Sequence, residues 1–190
     1  MKLSHLLLFV SFLALVSCSS SVAPLKYYVL HAPNTQNQVI LSETAHRVQL
    51  KQIILPDYLK QRALVVQTSS TTLHFSTGHV WAEPLNKSLR QALSAALWQE
   101  GRIMVVPDNV YTNEYPLVGL HIQVDDFLST DGGKVLIKGQ YWLDNVKNPQ
   151  VQYFDYRQTL QEDGFEHAVE KMRALVSDLA KAISSYLSAE

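Results

Sequence analysis

Two stretches of the sequence space their apolar residues as an α-helix does. From Phe165 to Leu187 apolar residues recur at intervals of three and one, which places them along one side of a helix that must pack on something apolar. A similar spacing over residues 84–100 predicts a shorter amphipathic helix, with Pro84 in its first turn and Gly101 at its C-terminal end. The sequence therefore predicts two main helices, each with one buried face.

The later helix also has a defined start and a polar side. Asp163 is followed three residues later by Glu166, which is the pattern of a capping box. The cations Lys171, Arg173 and Lys181 fall opposite the apolar positions. We expect a side-chain cap at Asp163 and solvent around the three cations.

Much of the remaining sequence has the patterns of β-strands. In residues 47–55, for example, alternation puts Val48, Leu50 and Gln52 on the same face, as in a half-buried strand. Aromatic and β-branched residues strengthen several of the other segments. The strand-like segments are residues 25–31, 47–55, 63–68, 71–76, 102–106, 116–127, 134–143 and 151–160.

Turn residues separate these segments and indicate how they pair. Ser69-Ser70 predicts a hairpin, with Gly78 ending its second strand, and Gly132-Gly133 predicts another between two long alternating segments. Residues 32–38 have the composition of a surface loop. Because most connections are short turns, the sequence predicts an α+β fold with both helices on one face of a largely antiparallel sheet.

The N-terminus has the features of an export signal. Lys2 supplies a positive start, and residues 6–16 form an uncharged apolar run of 11 residues, too short to cross a hydrocarbon core of about 30 Å. A positive start, a short apolar run and small residues are typical of a secretory signal peptide. Residues 1–17 are therefore predicted to be removed, so that residues 25–190 form one domain.

Cys18 is the single cysteine of the chain, and its position after the apolar run indicates a site of lipid attachment. It follows Leu15, Val16 and Ser17, which matches the cleavage box of bacterial lipoproteins, with the cut between Ser17 and Cys18. The alternative is an incidental cysteine after an ordinary signal peptide. We expect Cys18 to carry acyl chains, palmitate among them, which would hold the protein at a membrane, with residues 18–24 as a short lipidated tether.

Composition and charge exclude several classes of protein. The 190 residues are 47% hydrophobic, and 16 basic against 17 acidic residues give a net charge of −1, as in an ordinary globular domain. A nucleic-acid partner is not expected, because neither the whole chain nor any run within it is strongly basic. A single cysteine also excludes a disulfide framework and a paired-cysteine metal site.

No arrangement of residues in the sequence points to catalysis, a metal or a cofactor. No two histidines have the four-residue spacing of a helical zinc site, and the common nucleotide and hydrolase motifs are missing. Asp125 and Asp126 are adjacent, so in a strand they would point to opposite faces; a solvated strand end is the simpler interpretation. A hydrolase would need a cluster formed only by folding, from residues such as His74, His121 and Asp125.

Aromatic residues offer two interpretations. Trp81 stands just before the first long helix, where a tryptophan either packs as a lid on the core or anchors a protein interface. Trp142 follows Tyr141, and Tyr153, Phe154 and Tyr156 lie in the next segment; such residues more often form core and cross-strand pairs than ligand sites.

Three motifs follow one another along the chain: Pro56-Asp57-Tyr58-Leu59, Gln67-Thr68-Ser69 and Trp81-Ala82-Glu83-Pro84-Leu85. Residues 15–18, 27–30 and 133–143 form further characteristic segments. Taken in order, these segments resemble those of the ABC-type transport auxiliary lipoproteins. The resemblance spans nearly the whole chain after the signal peptide, and its most specific part is the order and spacing of the three motifs.

The resemblance implies a function without catalysis. It implies a periplasm-facing lipoprotein of the outer membrane that works with an envelope-bridging protein containing MCE domains and so supports envelope integrity. Ser19 follows the cysteine where an aspartate would favour retention at the inner membrane. Trp81, Pro56 and Tyr58, which belong to the matching motifs, are the candidate interface residues. The rival functions are a structural lipoprotein that binds peptidoglycan or an assembly machine, and an envelope hydrolase.

A ring-shaped homo-oligomer is a further expectation. The resemblance implies that MCE assemblies are rings around a tunnel, and a small subunit meets such an end most simply as a cyclic oligomer. The aromatic-rich strands leave at least one sheet edge that a neighbouring subunit could cover. A monomer with all its aromatic residues internal is the alternative.

Overall fold

The fold is described from a computed structural model, over residues 24–31, 46–107, 117–147 and 149–189. The predicted signal peptide, Cys18, most of the tether and the predicted loop at 32–38 lie outside these residues.

The described residues form one mixed, largely antiparallel sheet with two long helices, which confirms the predicted α+β fold. The bounds follow the predicted segments closely because the periodicity that predicted them is local. The strands are β1 (Lys26–Tyr28), β2 (Arg47–Ile54), β3 (Ala63–Gln67), β4 (Leu73–Trp81), β5 (Met104–Val105), β6 (Val118–Thr130), β7 (Lys134–Asp144) and β8 (Val151–Thr159); the helices are α1 (Leu85–Gly101) and α2 (Phe165–Leu187), with a 3-10 turn at Asp57–Leu59.

Strand β6 is the centre of the sheet. Along one edge it pairs with β7 in the predicted hairpin, from Gly119 opposite Asp144 to Thr130 opposite Lys134. Its other edge is shared by two parallel partners, β2 beside its first half and β3 beside its end. From there the sheet continues through β8 on the β7 side, through β5 beyond β2, and through β4 and β1 beyond β3.

Both helices pack on one face of this sheet. Helix α2 lies on β7, β8 and β6, whereas α1 lies beside β2 and β5 and packs against α2. Each large apolar side chain that is buried in this layer contributes about 1.5–3 kcal/mol. The fully buried residues include Leu97, Leu120, Ile122, Phe127, Ile137, Leu143, Leu175 and Ile183.

The β3–β4 hairpin is confirmed, but the prediction that Gly78 ends it is wrong. Strand β4 continues through Gly78 to Trp81. Between the pairs Ala63–Val80 and Val65–Phe75 the register shifts, and the Ser76 hydroxyl accepts a hydrogen bond from the backbone N–H of His79 at 3.1 Å. A bulge therefore absorbs the extra residues without ending the strand.

Two predictions about α2 are also wrong. The residue before its first turn is Gly164, which has a φ of 115° and makes no side-chain cap, so Asp163 and Glu166 do not form a capping box. Arg173 does not extend into solvent; its guanidinium donates hydrogen bonds to the carbonyl oxygens of Leu30 and Val29, both at 2.8 Å. This arginine ties the end of β1 to the helix.

Asp125 and Asp126 do not lie at a solvated strand end, because β6 runs on to Thr130. In the described ranges, neither helix has the length and apolar character required to cross a bilayer.

Candidate functional site

Tyr58 fills the gap that β2 and β3 leave on one edge of β6. The 3-10 turn that carries it buries Leu59 and leaves Pro56 half-buried. The Tyr58 hydroxyl lies 2.7 Å from Asp126 Oδ1 and 2.9 Å from the carbonyl oxygen of Asp125. Its single proton is therefore shared between two acceptors. Burial raises the pKa of Tyr58, and the hydrogen bond to the Asp126 carboxylate raises it further.

The two acceptors lie at an irregularity in β6. The pairing with β7 shifts register between Val124 and Asp126, so Asp125 has no partner on β7. The Asp125 carboxylate is exposed and accepts a hydrogen bond from Gln123 at 3.0 Å, whereas Asp126 is half-buried. Bulges often redirect a side chain at the point where they occur. Here the bulge fixes one acidic side chain on Tyr58 and leaves the other on the surface.

Trp81 occupies the core at the end of β4, with only 3% of its surface exposed. Of the two interpretations of this residue, its position fits the lid on the core and not a surface anchor. Its carbonyl oxygen and that of Ala82 lie within 3.4 Å of the Arg62 guanidinium. Pro56 and Tyr58 remain the predicted interface residues that reach the surface.

The face of the sheet opposite the helices carries a polar and aromatic cluster. His121 Nε2 lies 2.8 Å from Asp144 Oδ2, and the His121 ring stacks on Trp142 with centroids 5.2 Å apart and planes 5° apart. Asp144 Oδ1 also accepts the backbone N–H of Gly119 at 2.8 Å. The residue types were visible in the sequence, but their meeting depends on the β6–β7 register.

Tyr141, next to Trp142 in the chain, points to the opposite face and packs in the core. Its ring meets Tyr186 of α2 edge to face at 6.0 Å and stacks with Phe154 at 6.4 Å. Burial is the main cause that raises the pKa of Tyr141 to about 12. The strand aromatics thus divide between core and surface, as alternation requires.

The large apolar residues that are exposed in the described ranges all lie on the two edges of the sheet. Val151 and Tyr153 stand on β8 with 48% and 81% exposed, and Leu25, Tyr27 and Val29 stand in and beside β1. The sequence predicted at least one open sheet edge with aromatic residues but did not identify the strands that form it, because strand order depends on long-range pairing.

A groove of about 510 Å³ separates β1 from the first half of α2. Charged residues of both signs line it, Lys26 and Arg173 against Glu166 and Glu170. The two hydrogen bonds of Arg173 cross from α2 to the backbone that directly follows β1. The groove is open and charged, and therefore differs from the apolar, largely enclosed pocket of a small-molecule site.

The structure does not bring together the three residues that a hydrolase would need. His74 pairs with Val66, which pairs with Ser129 on β6, so His74 and His121 are separated by eight residues along the strand direction, about 26 Å. Asp125 lies four residues from His121, about 13 Å along β6. In the part of the chain that the structure describes, no group of three or more acidic, histidine or cysteine side chains could hold a metal ion.

The sequence is similar to a family of transport lipoproteins and to two of its named relatives. The family described as ABC-type transport auxiliary lipoprotein component matches residues 28–184. The chain is 26% identical over 170 residues to the intermembrane transport lipoprotein PqiC of Escherichia coli K12, and equally so to the protein of that name from Shigella flexneri. The match covers 90% of this chain and 90% of each relative.

Two solved structures share the fold. An uncharacterised protein superposes with a TM-score of 0.73 at 22% identity, and a protein from Xanthomonas campestris with a TM-score of 0.62 at 14% identity. Each comparison covers 86% of this chain and 99% of the other.

Proposed function

The chain belongs to the ABC-type transport auxiliary lipoprotein family, and from this premise we propose that it docks an MCE-domain tunnel protein at the outer membrane during intermembrane lipid transport. Acyl chains on Cys18 hold the protein in the membrane, and residues 25–190 face the periplasm. The role is one of attachment and contributes to envelope integrity. The family is one of transport auxiliary lipoproteins and not of enzymes.

The observation that carries the proposal is the match over nearly the whole folded domain to a family and to relatives named for intermembrane transport. The sequence adds an apolar export signal that ends at a lipoprotein cleavage box, and Ser19 in the position that influences sorting. The described surface supports an interface here, because hydrogen bonds to β6 hold Tyr58 beside the exposed Asp125, and the half-buried Pro56 lies at the start of the same turn.

A homo-oligomeric ring is part of the proposal. Strand β8 is an edge of the sheet, and Tyr153 exposes 81% of its surface there. Edge strands with exposed aromatic side chains favour contact with another chain. A heterologous contact that closes on itself would give a ring with an open centre, which could meet a tunnel without blocking it.

Affinity purification of the full-length chain from detergent-solubilised membranes tests the partner. We expect recovery of an MCE-domain protein from wild-type cells and a large loss of it after substitution of Pro56 and Tyr58 together by serine. Recovery of peptidoglycan or of a cell-wall synthase in place of an MCE protein would overturn the proposed function. Size-exclusion chromatography with light scattering on the same material reports the oligomer, and a monomer across a wide concentration range would exclude the ring.

Membrane fractionation tests the anchor and its location. Cys18→Ser should leave an uncleaved or mislocalised precursor, with the domain folded as before. Ser19→Asp is the matched variant, since it should keep the lipid but move the protein toward the inner-membrane fraction. A soluble, unmodified wild-type chain that begins at some other residue would contradict the anchor.

A further inference from the structure

The apolar residues in and beside β1 form a stripe on the side of the sheet that the helices leave open. Leu25, Tyr27 and Val29 expose 48%, 58% and 36% of their surfaces. Tyr28, between them, points the other way, because its ring lies 6.4 Å from Phe165 of α2. Alternation therefore turns all three exposed side chains away from the helices.

This stripe is held firmly in place. Strand β1 pairs in parallel with β4, from Lys26 opposite His79 to Tyr28 opposite Trp81. At its end, Arg173 of α2 binds the carbonyl oxygens of two successive residues, Val29 and Leu30. The exposed side chains therefore belong to an anchored edge strand and not to a loose terminus.

A cation completes the stripe. The guanidinium of Arg62 lies 5.7 Å from the centroid of the Tyr27 ring. Tyrosine beside a basic residue is typical of surfaces that meet the headgroup region of a bilayer, where the ring spans apolar and polar layers and the cation meets anionic lipids. The acidic residues Glu166 and Glu170 belong to α2 and line, together with Lys26, Tyr27 and Val29, the groove between that helix and β1.

The distance to the lipidated residue is short. Six residues separate Cys18 from Leu25, so even a fully extended tether spans only about 25 Å. A bilayer that holds Cys18 is therefore always within reach of β1, at a high effective concentration.

We propose that Leu25, Tyr27 and Val29, with Arg62 beside them, dock on the lipid surface that holds the acyl anchor. This inference rests on the proposed lipidation of Cys18. The tether favours a lipid surface over a second copy as the occupant of this stripe, because the tether ends at this edge of the domain. The β8 edge is five strands away from it, a distance of about 24 Å. The domain then contacts the lipid surface through its β1 edge, and Tyr153 on β8 lies farther from the lipid.

Site-specific fluorescence on the full-length lipoprotein tests the orientation. The mature chain has no other cysteine, and lipidation blocks Cys18, so Tyr27→Cys and Tyr153→Cys each provide one thiol for an environment-sensitive dye. These two are matched, since both are exposed tyrosines on the same face at opposite edges. Val29→Cys and Val151→Cys form a second matched pair in case the Tyr27 substitution disturbs folding.

The labelled proteins are reconstituted into vesicles of phosphatidylethanolamine with a minor share of phosphatidylglycerol, with or without a lipid that carries a shallow quencher. We expect the dye at position 27 or 29 to be quenched several-fold more than the dye at 153 or 151. Equal, solvent-like responses from protein that floats with the vesicles would overturn the inference, as would a shielded dye at 27 that lipids do not quench, which indicates a second copy. Labelling of the wild-type chain at Cys18, or failure to float, would instead disprove the anchor and with it this docking.

Discussion

Gly101 at the end of α1 lies so close to Ser184 of α2 that a methyl group on Gly101 would stand 2.6 Å from the Ser184 Cβ and overlap its hydroxyl oxygen. Only a hydrogen at position 101 fits this helix crossing. The left-handed residue that ends α1 is not this glycine but Arg102, with a φ of 53°. The glycine is therefore required by contact between the helices and not by its own backbone conformation.

Replacement of Gly101 by alanine should lower the free energy of unfolding by about 1–3 kcal/mol, because the added methyl group overpacks the helix interface. Ser184→Gly in the same chain should recover part of this loss by removing the overlapping side chain. Chemical denaturation measures both. Gly78→Ala is the control, since a methyl group there meets nothing within 4 Å, and an equal loss in that variant would contradict the explanation.

The Tyr58 hydroxyl should contribute about 1–2 kcal/mol to stability through its hydrogen bonds to β6. Tyr58→Phe removes the hydroxyl and keeps the ring, so denaturation should show that loss. Tyr156→Phe is the matched variant, because Tyr156 is also half-buried but contacts Phe154 through its ring, at 6.0 Å. Equal free energies of unfolding for the two variants would show that the hydrogen bonds of the Tyr58 hydroxyl make no net contribution to stability.

Stability should fall in alkaline solution. Burial raises the pKa of Tyr141 from 10.0 to about 12 and also raises that of Tyr58. Between pH 10 and about pH 12 these tyrosines lose their protons in the unfolded chain but keep them in the folded chain. The free energy of unfolding therefore decreases as the pH rises above 10.

Tyr141→Phe tests this dependence. Denaturation at several pH values between 10 and 12 should give a shallower decline than in the wild type, because one of the protons responsible is gone. Tyr153→Phe serves as the comparison, since the Tyr153 side chain is 81% exposed. A wild-type stability that is flat over this pH range would exclude the effect.

Arg173 should keep β1 attached to the domain. Arg173→Gln loses two charge-assisted hydrogen bonds and leaves the carbonyl of fully buried Leu30 without its partner, so we expect a loss of about 1–3 kcal/mol. Hydrogen exchange should accelerate in residues 26–30 before the rest of the sheet. Lys181→Gln, which breaks only an exposed pair with Asp178, should cost less than about 1 kcal/mol; similar exchange in both variants would refute the attachment.

The sequence predicted the elements well because their patterns are local. The spacing of apolar residues in α2 and the two glycines between β6 and β7 act over a few residues, and both predictions were confirmed. In β2 the same reasoning failed at Gln52. Alternation placed it with Val48 and Leu50, but the register shifts after Leu50 and leaves Gln52 exposed. A bulge interrupts the two-residue period without an unmistakable sign in the sequence.

The candidate site was harder to predict because it depends on contacts between distant residues. Tyr58 and Asp126 are 68 residues apart in the chain, and they meet only because β2 and β3 share an edge of β6. The burial of Trp81 was one of two interpretations that the sequence left open, and packing decided it. The stripe at β1 is exposed because the helices cover the other face of the sheet. The local sequence does not determine which face they cover.

The central position of β6 determines when this chain can fold as it is made. Strands β2 and β3 have their common partner only once residues 118–130 are available, so the first half cannot complete its part of the sheet before those residues are synthesised. Such non-local pairing slows folding. If the predicted signal peptide directs export in an unfolded state, this delay keeps the translocating segment unfolded until its central strand has followed.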